Sequence, residues 1–370
     1  VEQRNKRGFQ RKALLAGVLS VGSFALAGCD VAPPENGFFE ALRMGVPYGV
    51  TPEATAIGNF WVWVWVTAWI IGIVMWGLMI YSMVGFSAKK AAKAGKGEFP
   101  KQLQYNVPLE LVLTIVPIFI VMALFFFTVQ TQDKVTALDK DPQVKVDVTA
   151  FQWNWKFGYA QVGSELSPTG GTYEGVHQAR QDQAEASKID ANYAADPHHG
   201  GLGGPIHGKS KSDMSYLRYN KIETVGTTDE IPVLVLPTNT PIEFDLASSD
   251  VGHAFWVPEF LFKRDAYPQP EANNSQRRFQ IEKIEKEGAF VGRCAEMCGT
   301  YHAMMNFEVR AVTPEKFKQY IKFRNENPEA TNAEALNSIG EEPYATSTKP
   351  FVSGRLDTRD GANTVENAAK

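Results

Sequence analysis

Apolar and polar positions divide this chain into unlike stretches. Residues 1–28 begin with Arg4, Lys6, Arg7, Arg11 and Lys12 and then run apolar over 13–27. A basic start followed by an apolar run too short to span a bilayer comfortably predicts a secretory signal peptide. Two uncharged stretches follow, over 54–88 and 111–132. Each is long enough to cross about 30 Å of hydrocarbon as a helix, which predicts spans at about 59–86 and 109–131. Pro117 falls inside the second, where neighbouring groups can satisfy a freed carbonyl. Trp61, Trp63 and Trp65 cluster at one end of the first, as an interfacial belt would.

Past residue 133 the period changes. Residues 144–150 alternate apolar and polar and run on into "FQWNWKFGY", which predicts a half-buried strand. Further strands are expected at 231–237, 241–247, 253–259, 277–282, 289–293 and 306–312, separated by turn residues. Many short strands with Gly and Pro punctuation predict a β-sandwich or barrel. The run 313–324 starts with Thr-Pro and predicts a closing helix. Residues 162–215 are rich in Gly, Ala, Gln, Asp and Ser, which predicts an insertion draped over the domain or partly disordered. The organisation expected is a leader at 1–28 and a membrane hairpin within 29–133, connected through 87–105. An exported domain over 144–325 and a peripheral tail over 326–370 complete it.

Charge orients this plan. The connection between the spans carries Lys89, Lys90, Lys93, Lys96 and Lys101 against Glu98 alone, and the outer flanks show no such excess. The positive-inside rule puts that loop in the cytoplasm and both termini outside. The whole chain carries −4. The leader and the loop each contribute +4, five basic residues against one acid, so the remainder carries −12. An acidic exported region attracts a cationic soluble partner and repels nucleic acid. The leader ends in Leu26-Ala27-Gly28-Cys29, which resembles the bacterial lipoprotein cleavage box and implies a lipid anchor on Cys29.

The other two of the three cysteines stand in "CAEMCGTYHAMM", residues 294–305. Outside the membrane two nearby thiols commonly oxidise, so a disulfide is one reading. It leaves His302 and Met305 unexplained. Thiolate, imidazole and thioether together suit copper, with zinc as the competitor, although zinc has no use for a methionine. His253 is the one histidine outside both the insertion and this loop, and is the candidate distant ligand. His198, His199 and His207 lie in the insertion, where nothing fixes a geometry.

Cys294, Glu296, Cys298, Gly299, His302 and Met305, with His253 upstream, resemble the Cys-x-Glu-x-Cys-Gly-x-x-His-x-x-Met loop of bacterial cytochrome c oxidase subunit II. The resemblance covers the leader, the two-helix hairpin and the β-domain. It implies a cupredoxin-like fold whose cysteines bridge two copper ions of the CuA type. His253 and His302 then each terminate one ion, and Met305 and the Glu296 carbonyl supply weaker ligands. Met304 could substitute for Met305, but spacing favours Met305. The resemblance further implies that electrons enter at Trp153 and that Glu110 lies at the cytoplasmic mouth of a proton channel. It also makes the Glu296 carboxylate a ligand to magnesium shared with subunit I.

The implied function is to accept electrons from cytochrome c, or from a c-type cytochrome of a neighbouring complex. They pass on to haem in subunit I, where oxygen is reduced to water with proton translocation. Oxygen reduction belongs to the complex, because two spans without histidine cannot hold haems. A membrane-anchored copper chaperone and a copper-free quinol-oxidase relative are the rivals. One departure stands out: "DAYPQP" carries Gln269 where the family commonly has glycine.

Overall fold

The computed structural model describes residues 32–95, 104–138, 140–186 and 215–350. The leader, Cys29, His198, His199 and His207 lie outside them, as does much of the expected insertion. The chain forms two compact units.

The first unit is helical. Helix α1 (Gly37–Ala41) begins at Asn36, whose side chain accepts the Phe38 and Phe39 N–H groups. Helices α2 (Pro52–Gly85) and α4 (Val107–Thr136) contain the two uncharged runs, and α3 (Ala88–Lys93) opens the connection between them. At about 1.5 Å per residue, α2 and α4 each exceed the ~30 Å of a hydrocarbon core. Ile73, Met79, Phe119 and Val121 are each more than half exposed. So continuous an apolar surface requires lipid or protein cover.

The second unit is a sandwich of two mixed sheets. Its strands are β1 (Val144–Phe151), β2 (Asn154–Val162), β3 (Tyr173–Glu174), β4 (Glu223–Val225), β5 (Val233–Pro237) and β6 (Ile242–Ser248). They continue with β7 (His253–Val257), β8 (Phe262–Ala266), β9 (Arg278–Ile281), β10 (Gly288–Cys294) and β11 (Asn306–Val312). One sheet runs β3-β2-β1-β6-β9 with β4 also on β2, and the other runs β5-β11-β10-β7-β8. The β1–β6 and β11–β5 pairs are parallel. Aromatic rings fill the space between the sheets: Trp155 meets Phe307 at 5.2 Å between centroids, and Phe244 meets Phe255 at 5.4 Å. This is the cupredoxin-like all-β architecture that the resemblance implies, and it follows the two long apolar helices along the chain.

Three local features differ from the sequence reading. The run from 144 into "FQWNWKFGY" is not one strand. It turns at Gln152-Trp153 and returns as β2, pairing Phe151 with Asn154. Nor is β1 half-buried. The segment just after the insertion lays Tyr216 and Leu217 over the outer face of the sheet, and the Asn220 amide donates to Asp147 at 2.9 Å. Asp147 and Thr149 are consequently buried along with the core face.

The stretch 326–350, expected to be peripheral, is built into the domain. Helix α6 (Pro314–Glu326) starts from the Thr313 cap and is followed by α7 (Asn332–Ser338), which begins with a Thr331–Glu334 capping box. Helix α5 (Gln178–Ala186) lies in the insertion. Ala335 and Leu336 are fully buried. Beyond α7, the Thr346 and Ser347 N–H groups each donate to the buried Glu308 carboxylate at 2.7 Å.

Burial pushes the Asp147 carboxyl up to about 6 from 3.8, against the Asn220 hydrogen bond and helped by Asp245 on β6. The folded state therefore holds this proton more tightly than the unfolded chain, so Asp147 costs stability progressively as pH rises from about 4 through 6. Asp147→Asn is expected to stabilise the domain at pH 7.5 by on the order of 2 kcal/mol and to leave it unchanged at pH 3.5. Urea midpoints of both proteins at the two pH values check this.

Candidate metal centre

Strand register delivers the donor side chains to one end of the five-stranded sheet. His253 is the first residue of β7, Cys294 the last of β10, and Met305 directly precedes β11. Antiparallel pairing sets Cys294 opposite Phe255 and Arg293 opposite Asn306. The Cys294 N–H donates to the Met305 carbonyl at 3.1 Å, closing the loop between them at its neck. Trp155 Nε1 donates to the same carbonyl at 3.2 Å. Within the loop a 3-10 turn (His302–Met304) starts where the His302 N–H meets the Gly299 carbonyl at 3.1 Å.

The donors converge. Cys294 Sγ lies 3.8 Å from Cys298 Sγ, 3.8 Å from His253 Nδ1 and 3.2 Å from the Glu296 carbonyl. Cys298 Sγ lies 3.6 Å from His302 Nδ1 and 4.0 Å from Met305 Sδ. His253, Cys294 and Cys298 form the one candidate metal-holding group among the described residues. Metal–thiolate bonds of about 2.3 Å and metal–imidazole bonds of about 2.0 Å set two ligands of a shared ion roughly 3.5–3.8 Å apart. The donor set thus fits metal ions in both spacing and softness. The sulfurs are also free thiols, far beyond the ~2.0 Å of a disulfide. Met305 is buried and turns its sulfur into the group, whereas Met304 is half-exposed.

Charge is arranged to suit. A hydrogen bond from Cys298 holds the Cys294 thiol well below its ordinary value, outweighing burial, with His253 assisting. Cys298 is pushed up by that same neighbour. Burial works to lower His253, but the hydrogen bonds with Asp250 and Cys294 leave it raised.

Asp250 was not singled out from the sequence, although a carboxylate three residues before a candidate histidine ligand was a usable signal. Its Oδ1 lies 2.9 Å from His253 Nε2 and accepts the Val251 N–H at 2.7 Å, while Oδ2 accepts the Gln152 N–H at 2.7 Å. With its Nε2–H donated to Asp250, His253 turns the Nδ1 lone pair toward the sulfurs. Burial works to raise Asp250, and these bonds hold it low instead.

The remaining candidates are placed differently. Trp153 sits in the β1–β2 turn, donates from Nε1 to the Cys298 carbonyl at 3.1 Å and packs edge-on against Tyr301 at 4.8 Å. The Glu296 carboxylate faces Lys263 Nζ at 3.4 Å, and Lys263 also pairs with Asp265 at 3.1 Å. Glu110 belongs to the helical unit, where its carboxylate accepts the Asn106 N–H at 3.0 Å in the first turn of α4. Gln269, at the family departure, has a positive φ of 45°.

A family profile described as cytochrome c oxidase subunit II, periplasmic domain, matches residues 214–312. The chain is 69% identical over 369 residues to cytochrome c oxidase subunit 2 of Corynebacterium diphtheriae, covering all of both chains. It is 48% identical over 351 residues to that of Mycobacterium tuberculosis, covering 95% of this chain and 90% of the other. Among solved structures, the periplasmic domain of subunit II of cytochrome oxidase of Bradyrhizobium japonicum aligns at 22% identity. Its TM-score is 0.29, over 50% of this chain and 96% of that one.

Asp250→Ala removes the group that fixes the His253 ring. It is expected to weaken metal binding roughly 10- to 100-fold while the sandwich stays folded, as competition with a calibrated copper chelator will measure.

Proposed function

Since the chain belongs to the cytochrome c oxidase subunit II family, we propose that His253, Cys294, Glu296, Cys298, His302 and Met305 hold a pair of copper ions. Through them this subunit accepts electrons for a haem–copper oxidase. The observation that carries the reading is the convergence of two free thiols, two imidazoles, a thioether and a carbonyl with spacings of 3.2–4.0 Å. A copper pair bound there would supply one-electron redox chemistry, with the soft thiolates of Cys294 and Cys298 as its principal donors.

The protein's part is to hold the donors still and dry. His253 is completely buried, and Cys294, Cys298 and Met305 are all below a tenth exposed. Their shell is hydrogen-bonded to sheet backbone, so the ligands have little freedom to move when charge arrives. Trp153 is partly exposed, and its Nε1–H contacts the Cys298 carbonyl, which connects the surface to a ligand residue. It is the residue where a docked cytochrome c, or a c-type cytochrome of a neighbouring complex, delivers electrons.

The two apolar helices fix the subunit in the membrane beside subunit I, which holds the haems. The lysine-rich connection faces the cytoplasm and the copper domain the outer side, as the positive-inside rule requires. Glu110 then lies at the cytoplasmic end of α4, and the Glu296 carboxylate, 3.4 Å from Lys263 Nζ, would help to hold magnesium at the subunit I interface. Cys29 carries the lipid.

Metal analysis of the purified chain is expected to find two coppers and a mixed-valence paramagnetic signal that is lost in His253→Ala. One copper would mark the chaperone reading, and none the disulfide. Trp153→Gln is expected to slow oxidation of reduced cytochrome c roughly tenfold or more while two coppers remain bound, read by stopped-flow kinetics and metal analysis.

A further inference from the structure

The Cys298 thiol is buried, but the backbone on either side of it is open to solvent. Met297, Gly299, Thr300 and Tyr301 are all exposed, and one flank faces an open cavity of about 400 Å³ lined by Gln152, Tyr267, Glu296, Met297, Cys298 and Gly299. Among the described residues, the hydrogen bonds that reach the Cys298 backbone from outside its loop come from Gln152 Nε2 at 2.8 Å and Trp153 Nε1 at 3.1 Å. Both donors end on one carbonyl. Gly299 makes room for them: its φ is +117°, and a Cβ there would stand 3.2 Å from each of the two nitrogens.

Gln152 has a second attachment. Its backbone N–H donates to Asp250 Oδ2 at 2.7 Å, and Asp250 Oδ1 meets His253 Nε2 at 2.9 Å. A continuous path of hydrogen bonds therefore runs from the Cys298 carbonyl through the Gln152 side chain and backbone to Asp250 and the His253 ring. The two ends belong to separate segments of the other sheet, and the joint between them is one residue of the β1–β2 turn.

We propose that Gln152 is a positioning residue that couples the His253 and Cys298 ends of the metal centre, fixing the Cys298 loop before metal binds. This rests on the copper reading for its purpose but not for its geometry. Packing and sheet register already fix Cys294, His253 and Met305. The Cys298 loop depends instead on donors that compete with water in the open cavity, and the side chain with the shorter of the two bonds sets its position.

Two variants of the full-length chain in detergent test this. Gln152→Leu removes the donor, and Gln152→Asn keeps the amide but withdraws it by one methylene, about 1.5 Å. In copper-free protein both are expected to speed alkylation of Cys298 relative to Cys294 by roughly threefold to tenfold, the equilibrium worth of one hydrogen bond. Mass spectrometry of the two cysteine peptides gives that ratio. After copper is restored, both variants should show an altered paramagnetic signal at an unfolding midpoint close to the parent's. A native alkylation ratio and a native copper signal in both variants would overturn the proposal. If the parent itself took up no copper, the copper reading would fail, and the alkylation ratio would still decide whether Gln152 holds the loop.

Discussion

The bond between the Cys294 N–H and the Met305 carbonyl is the constraint on which the site depends. It is the last rung of the β10–β11 ladder before the chain leaves the sheet. Closing the loop there makes the positions of both flanking donors a property of sheet register rather than of loop conformation. Trp155 reinforces the same carbonyl from across the sandwich while its ring packs on Phe307 and Phe255. The aromatic core and the neck of the ligand loop are thus one structure, and a shift in either would be felt by the sulfurs.

Around that neck the protein offsets the burial of polar groups with hydrogen bonds. His253 is completely buried, a position an imidazole tolerates only when both ring nitrogens are engaged. Asp250 engages one, and the sulfurs, with whatever they bind, engage the other. Asp250 is in turn satisfied by the Gln152 and Val251 N–H groups. The geometry of the candidate donors is therefore inherited from backbone amides of the fold, an arrangement that would keep a metal centre from rearranging as its charge changes.

Much of this was legible in the sequence, because the features concerned are local. Two uncharged runs of spanning length can hardly be anything but long apolar helices. Five of the ligand candidates fall within twelve residues, where chemistry dictates the residue types. The turn at Gln152-Trp153 was hidden because neither residue is a turn former and the aromatic run continues through it; Asn154 was the single punctuation mark. Burial of the outer face of β1 depends on Tyr216, Leu217 and Asn220, some seventy residues on, and no local pattern in β1 announces it. The segment after 326 looked peripheral because its composition is polar. Burial of Ala335 and Leu336, the Asn332 hydrogen bonds and the Glu308 contacts dock it, and the Thr331–Glu334 cap was the readable clue.

That docked segment bears on how the domain matures. Glu308 lies on β11, three residues beyond Met305; Arg310 donates to one of its carboxylate oxygens, and the Thr346 and Ser347 N–H groups donate to the other. A buried carboxylate oxygen left without donors is costly, so β11 reaches its final environment only once the chain some forty residues further on has docked. The two thiols therefore precede, along the chain, the segment that completes the surroundings of the strand beside them. The order of residues along the polypeptide thus makes the strand that flanks the loop one of the last parts of the domain to settle.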